Sequence, residues 1–274
     1  MADNDKKNGI ETEALFGDFV PGKQDSTETP MMRAKEMMKN DLPKRFYKEV
    51  SIGEEGGSFQ VLLDGRSIKS PAKKVVSVPK RAIAEVLVAE WAAQIDKIDP
   101  ATMPLTRLVN SIIDGVEDAR EAMLDEIVSY MGNDFICYPA SHPERLLDRQ
   151  KEHWQPVLDW AGELLGGKFV QASGILAVEQ SPVLGENLRK IWSDLDIFQL
   201  GAVHSLMTLT GSALLPLAYW KGYLSRDAMW AAAMVDEDWN VEMWGEDEEA
   251  TKRRVYRRAD CDAAGSIIDA FSAK

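Results

Sequence analysis

Ser58-Phe59-Gln60-Val61-Leu62-Leu63-Asp64-Gly65-Arg66-Ser67-Ile68-Lys69 reads as a strand, a two-residue turn and the start of a returning strand. Asp-Gly favours a type I′ turn, whose two central residues both need positive φ. On the N-terminal side, Arg45-Phe46-Tyr47-Lys48-Glu49-Val50-Ser51-Ile52 partly alternates and predicts a further strand, with Gly53-Glu54-Glu55-Gly56-Gly57 as the turn between. On the C-terminal side, Lys74-Val75-Val76-Ser77-Val78 adds a short strand after Pro71. The result is a small antiparallel β unit ending near Pro79. So thin a unit is not stable alone, so it must pack on a helix or on the next domain.

Beyond Pro79 the spacing turns helical. Pro79 is expected to open a helix, a position proline favours, with Ala82, Ile83, Val86, Leu87, Glu90 and Trp91 at three- and four-residue spacing. Pro100 and Pro104 interrupt the chain, residues 105–114 resume as helix, and residues 116–131 form a third with Ala119, Met123, Ile127, Val128 and Met131 on one side. A loop over 137–143 precedes a helix over 145–165, which Pro156 bends or restarts and Gly166-Gly167 stops. Residues 168–179 read as a short strand or an extended loop. Ser181-Pro182 starts a helix to about residue 196.

Residues 197–220 contain no Asp, Glu, Lys or Arg, which raises the question of a membrane span. Gln199, His204, Ser205, Thr208, Thr210 and Ser212 interrupt the apolar surface, so the run is read as one buried central helix. Ser225 caps the next helix, expected to run on through Val235-Asp236-Glu237-Asp238-Trp239-Asn240-Val241-Glu242-Met243-Trp244 to Gly245. A last helix, over about 246–271, is acidic at its start and basic later, in keeping with the helix dipole. The expected fold is α+β: a mobile tail over 1–43 with a short helix near 30–40, a small N-terminal antiparallel β-rich domain over 44–79, and a larger α-helical domain over 80–274.

Composition narrows the function. A net charge of −13 over 274 residues argues against nucleic acid as the main partner, because phosphate contacts need clustered Lys and Arg. It suits attraction to a basic protein surface. The cysteines, Cys137 and Cys261, lie far apart without Cys-x-x-Cys spacing, which points to a reducing compartment. The N-terminus is polar and carries Asp3 and Asp5, unlike a signal or transit peptide, so a bacterial cytoplasmic protein is expected.

No stretch spells out catalysis. His142, His153 and His204 have no second histidine at ligand spacing, so no metal is expected, and His204 reads as a hydrogen-bonded core residue. There is no nucleophile elbow, phosphate loop or dinucleotide fingerprint, hence no expected cofactor or small-molecule substrate. The stretch that stands apart is residues 235–247. On a helical wheel Asp236 falls between Met229, Trp239 and Met243, inside an apolar sector, and Glu237 between Trp230 and Trp244. Asp238 and Glu242 fall on the opposite, polar side. An acid in an apolar stripe is either a structural partner for an Arg or helix N-terminus elsewhere in the fold, or a carboxylate held ready for a basic group on another protein.

Several pieces, in this order, carry a resemblance: Arg45-Phe46-Tyr47; Leu63-Asp64-Gly65-Arg66; Ala89-Glu90-Trp91 followed by Met103-Pro104-Leu105-Thr106; Trp154-Gln155-Pro156-Val157-Leu158-Asp159-Trp160; Gly211-Ser212; and Asp236-Glu237-Asp238-Trp239 through Trp244-Gly245. Together they resemble the Atp12 family of F1-ATPase assembly chaperones, over most of the chain from Arg45 onward. The resemblance implies an ATP-independent chaperone, not an enzyme, that binds the F1 α subunit before it meets β. It also implies a critical acidic contact at the start of the late acidic cluster, which maps to Asp236 or its neighbour Glu237, with Trp239 and Trp244 expected in the same partner-binding surface. Trp91 stands at another position the family's motif marks and reads as structural, since a tryptophan on a helix face usually packs. The competing expectation is a carboxylate-dependent hydrolase with its site at the Asp236/Glu242 cluster, which requires Asp236 or Glu242 to face another carboxylate across a concave pocket, at least one of them with a raised pKa.

Overall fold

A computed structural model describes residues 42–172 and 178–272. The expected N-terminal tail, all but its last two residues, and the helix near 30–40 lie outside the described residues. The chain divides into two compact units, one through Glu117 and one spanning Asp118–Ser272.

The first unit is built on an antiparallel sheet of β1 (Val50–Glu55), β2 (Ser58–Leu63), β3 (Arg66–Ser67) and β4 (Ser77–Val78). β2 is the hub: it pairs with β1 on one side and with β3 and β4 on the other. The Asp64-Gly65 turn has positive φ at both residues (48° and 77°), as type I′ requires. The preceding turn is tighter than expected. Gly53, Glu54 and Glu55 continue β1 opposite Gln60, Phe59 and Ser58, and only Gly56 and Gly57 turn, with φ of 60° and 81°. Nor does the strand begin at Arg45. Residues 43–45 run instead beside 96–98, through Arg45 N–H to Asp96 O and Ile98 N–H to Pro43 O.

α1 (Arg81–Ala92) covers the sheet, burying Ile83, Ala84, Leu87 and Trp91 in the same core as Val61 and Leu63. Pro79 lies just before its N-cap, Lys80, and Val86 is exposed, so the buried stripe is narrower than the spacing suggested. α2 (Pro104–Ser111) runs without interruption through a π-helical turn (Ile112–Val116) into α3 (Glu117–Gly132). The π turn carries Asp114, which accepts the Ser70 hydroxyl at 2.5 Å and the Ala72 N–H at 3.1 Å, pinning the loop after β3.

The second unit is helical: α3 from Asp118 onward, α4 (Glu144–Leu165), α5 (Pro182–Ser193), α6 (Ile197–Thr210), α7 (Leu214–Trp220), α8 (Arg226–Ala233), α9 (Val235–Trp244) and α10 (Glu248–Ser272). Two of the expected helices are each divided in two. The uncharged run breaks after Thr210, where Gly211 takes φ 74° and the buried Asp134 accepts Ala213 N–H, Leu214 N–H and the Ser212 hydroxyl. That one carboxylate satisfies the first free N–H groups of α7, so a new helix can start inside the core. The flank of α6 carrying His204 and Thr208 reaches solvent: Thr208 is exposed, and partly exposed His204 meets Glu126 at 2.9 Å. No helix of the described residues is long and apolar enough to cross a membrane. The second break, at Met234, separates α8 from α9. Of residues 168–179, 168–172 form neither helix nor strand, and 173–177 lie outside the described residues.

Candidate partner-binding surface

The break at Met234 changes the wheel on which the acidic stretch was placed. α9 starts afresh at Val235, so Met229 and Trp230 belong to a different helix. α9 buries Val235 and Trp239, and besides Val241 and Glu242 it exposes Asp236, Asn240, Met243 and Trp244. These last four sit at i, i+4, i+7 and i+8, one continuous helical face. Trp244 is 85% exposed, an exceptional state for an indole. Asp236 therefore lies exposed on the same helix face as Met243 and Trp244, about two turns from them, and not within a buried stripe.

The other acids of α9 are all ion-paired. Glu237 takes Arg257 of α10 at 2.5 Å, and Asp238 takes Arg254 at 2.5 Å. Glu242 takes Arg149 at 2.5 Å and Arg145 at 3.1 Å, both from α4. The Arg149 guanidinium, with Arg145 behind it, holds the Glu242 carboxyl below the usual range. The same two guanidinium groups lie 5.5 and 5.6 Å from the centre of the Trp239 ring, so they also clamp the one large aromatic by which α9 is seated. Asp238 and Glu242, expected to be merely solvated, are thus anchors of the helix.

Among the described residues Asp236 makes no ion pair. Its Oδ1 accepts a hydrogen bond from the Gln150 side-chain amide at 2.7 Å. No motif singles out Gln150, although it lies on the same face of its helix as the buried Trp154, Val157, Leu158, Ala161 and Leu165. A lone amide on such a face was the available signal.

This geometry does not suit acid–base hydrolysis. Asp236 and Glu242 are six residues apart on one exposed helix and point in different directions, and Glu242 has a lowered pKa where a general acid needs a raised one. The cysteines are unsuited to nucleophilic work: both are buried, and burial pushes their thiols up, to about 12 for Cys137 and about 11 for Cys261.

Residues 44–162 match the family described as ATP12 chaperone protein. The chain is 28% identical over 224 residues to the mitochondrial atp12 protein of Schizosaccharomyces pombe, covering 76% of this chain and 75% of that one. Among solved structures it resembles the Atu1473 protein of Agrobacterium tumefaciens, described there as a candidate chaperone, with 40% identity and a TM-score of 0.80 over 90% of this chain and 92% of that one. It also resembles Atp12 from Paracoccus denitrificans, with 36% identity and a TM-score of 0.76 over 83% and 98%. The chain belongs to the Atp12 family.

Much of the Atp12 resemblance is carried by framework residues. The Tyr47 hydroxyl donates to Trp91 O at 2.7 Å, and Arg45 lies over the Tyr47 ring. Asp64 accepts the N–H groups of Lys48 and Glu49. Glu90 accepts Leu105 N–H and Thr106 N–H at 2.7 Å, so two separate pieces of the Atp12 signature are one helix cap. Trp154 donates its ring N–H to Ala232 O at 2.9 Å, and Gly211 supplies the left-handed residue after α6. Trp91 is wholly buried.

Proposed function

We propose that this protein is an ATP-independent assembly chaperone that binds the F1-ATPase α subunit and shields its interface until the β subunit replaces it. Membership of the Atp12 family supports the class. The observation that carries the site is the exposed face of α9, where Asp236 lacks a cation beside Met243 and a nearly fully exposed Trp244. A monomer rarely leaves such a group uncovered without a partner for it. The surface calls for a partner with a basic side chain next to an apolar depression. Asp236 fixes register by charge and Trp244 anchors, with Glu237 and Trp239 supporting the helix from behind. Release needs no nucleotide, because β competes for the same surface. On this reading the protein acts in the bacterial cytoplasm.

Co-expression tests it. The cognate F1 α subunit is expected to stay soluble with this protein and to precipitate without it, in nucleotide-free lysate as in lysate with ATP. The Asp236→Lys/Glu237→Lys double variant, folded by circular dichroism, is expected to lose this activity. Equal rescue by the double variant removes the acidic site; no rescue by the wild type sinks the chaperone reading.

A further inference from the structure

We propose that Gln150 is the positioning residue of the docking surface, holding Asp236 in place without neutralising it. The inference rests on the docking role of Asp236 proposed above.

Gln150 lies on α4 and is 2% exposed. Both ends of its amide are used. Oε1 accepts the backbone N–H of Ala140 at 2.7 Å, and Nε2 donates to Asp236 Oδ1 at 2.7 Å. The first bond dictates the second. A backbone N–H can only donate, so the oxygen of the amide must face Ala140, and the NH2 group is left pointing at Asp236. The orientation of a carboxylate on the protein surface is thus set by a buried group that cannot turn round.

The choice of an amide matters because of what surrounds it. Glu237, Asp238 and Glu242 are each fixed by arginine, which orients a carboxylate but cancels its charge. Arg145 and Arg149, on the same helix as Gln150, are spent on Glu242 and the Trp239 ring. An amide donor orients one oxygen and leaves the full negative charge, with Oδ2 open to an incoming cation. Pre-orienting a binding group removes part of the ordering cost of association. A glutamate at this position would still accept from Ala140 but would repel Asp236, and an arginine would neutralise it.

The test uses the full chain and the cognate F1 α subunit, with dissociation constants measured for wild type, Asp236→Asn, Gln150→Met, Gln150→Glu and the Gln150→Met/Asp236→Asn double variant. Gln150→Met, similar in volume but without donor or acceptor, is expected to weaken binding about tenfold, the scale of a hydrogen bond to a charged group. Gln150→Glu is expected to weaken it at least as much. The double variant is expected to bind like Asp236→Asn alone, because two residues acting through one contact are not additive. If Gln150→Met weakens the Asp236→Asn background by the same factor as it weakens wild type, Gln150 acts only on the fold and the proposal is overturned. It is equally overturned if Asp236→Asn weakens binding and neither Gln150 variant does. Wild-type affinity in Asp236→Asn instead removes the docking role on which the inference stands. Should Gln150→Met fail to fold by circular dichroism, Gln150→Glu, which keeps the Ala140 bond, decides.

Discussion

Arg257 donates to the Glu237 carboxylate at 2.5 Å and, through its other terminal nitrogen, to the Leu209 carbonyl at 2.9 Å. One side chain of α10 therefore ties down both α9 and the last turn of α6, and it balances the charge of Glu237. The neighbouring carboxylates 236 and 237 thus differ: one is held by an amide alone and the other is paired with a guanidinium. Glu237→Gln is expected to lower stability by less than about 1 kcal/mol, since the pair is nearly half exposed, and to leave affinity for the α subunit unchanged. Asp236→Asn is expected to do the reverse. Urea denaturation and a binding titration on the same two variants check both.

Glu90 is the cap of α2, and its loss is expected to be felt in the first unit. Glu90→Ala leaves Leu105 N–H, Thr106 N–H and the Thr106 hydroxyl without their acceptor. A cost of about 1–3 kcal/mol is expected, read as a shift in denaturation midpoint. Client binding by the folded fraction should not change.

Asp134 predicts a pH dependence. Its carboxyl is fully buried, and burial outweighs the hydrogen bonds from Leu214, Ser212, Ala213 and Ile136, raising its pKa to about 6 from 3.8. A carboxyl with a raised folded-state pKa binds its proton more tightly when folded. Its contribution is therefore fully present below pH 3.8 and is lost as pH rises through about 6. The stability difference between wild type and Asp134→Asn should accordingly shift against wild type between pH 4 and pH 7, by at most about 3 kcal/mol. Thermal melts across that range check it, and a difference that does not vary with pH contradicts the assignment.

Two helical glycines should respond oppositely to alanine. Gly132 faces open space, so Gly132→Ala should stabilise by up to about 1 kcal/mol through the lower entropy of the unfolded chain. At Gly265 an added Cβ would stand 2.4 Å from Arg226 Nε. Arg226 is bonded to Tyr219, Asp262 and Asp269, so it cannot swing away freely. Gly265→Ala should cost about 1–3 kcal/mol, the scale of overpacking. Paired melting temperatures decide.

Some features were legible because their causes are local. Asp64-Gly65 needs only its own backbone to form a type I′ turn, and Gly166 needs only its own positive φ to end α4. Helix existence followed from spacing, and Trp91, Trp154 and Val157 were buried by the faces they lie on. The family signature could be read for the same reason, since most of it is framework chemistry repeated in a fixed order. Helix continuity was harder to read. Nothing near Gly211 in sequence announces that Asp134, almost eighty residues earlier, will cap a new helix there.

The chain by itself determined an α+β protein, the rough places of most helices and of the Asp64-Gly65 turn, the absence of a recognisable catalytic motif, and the stretch around residue 236 as the place to look. Only the tertiary structure decided what each acid there does. A helical wheel knows the direction of a side chain but not what stands opposite. Arg145, Arg149, Arg254 and Arg257 come from α4 and α10, distant in sequence, and they fix Glu242, Asp238 and Glu237. Gln150 meets Asp236 across 86 residues. A carboxylate's charge is free or cancelled according to its neighbours in space, and those neighbours exist only once the helices have packed.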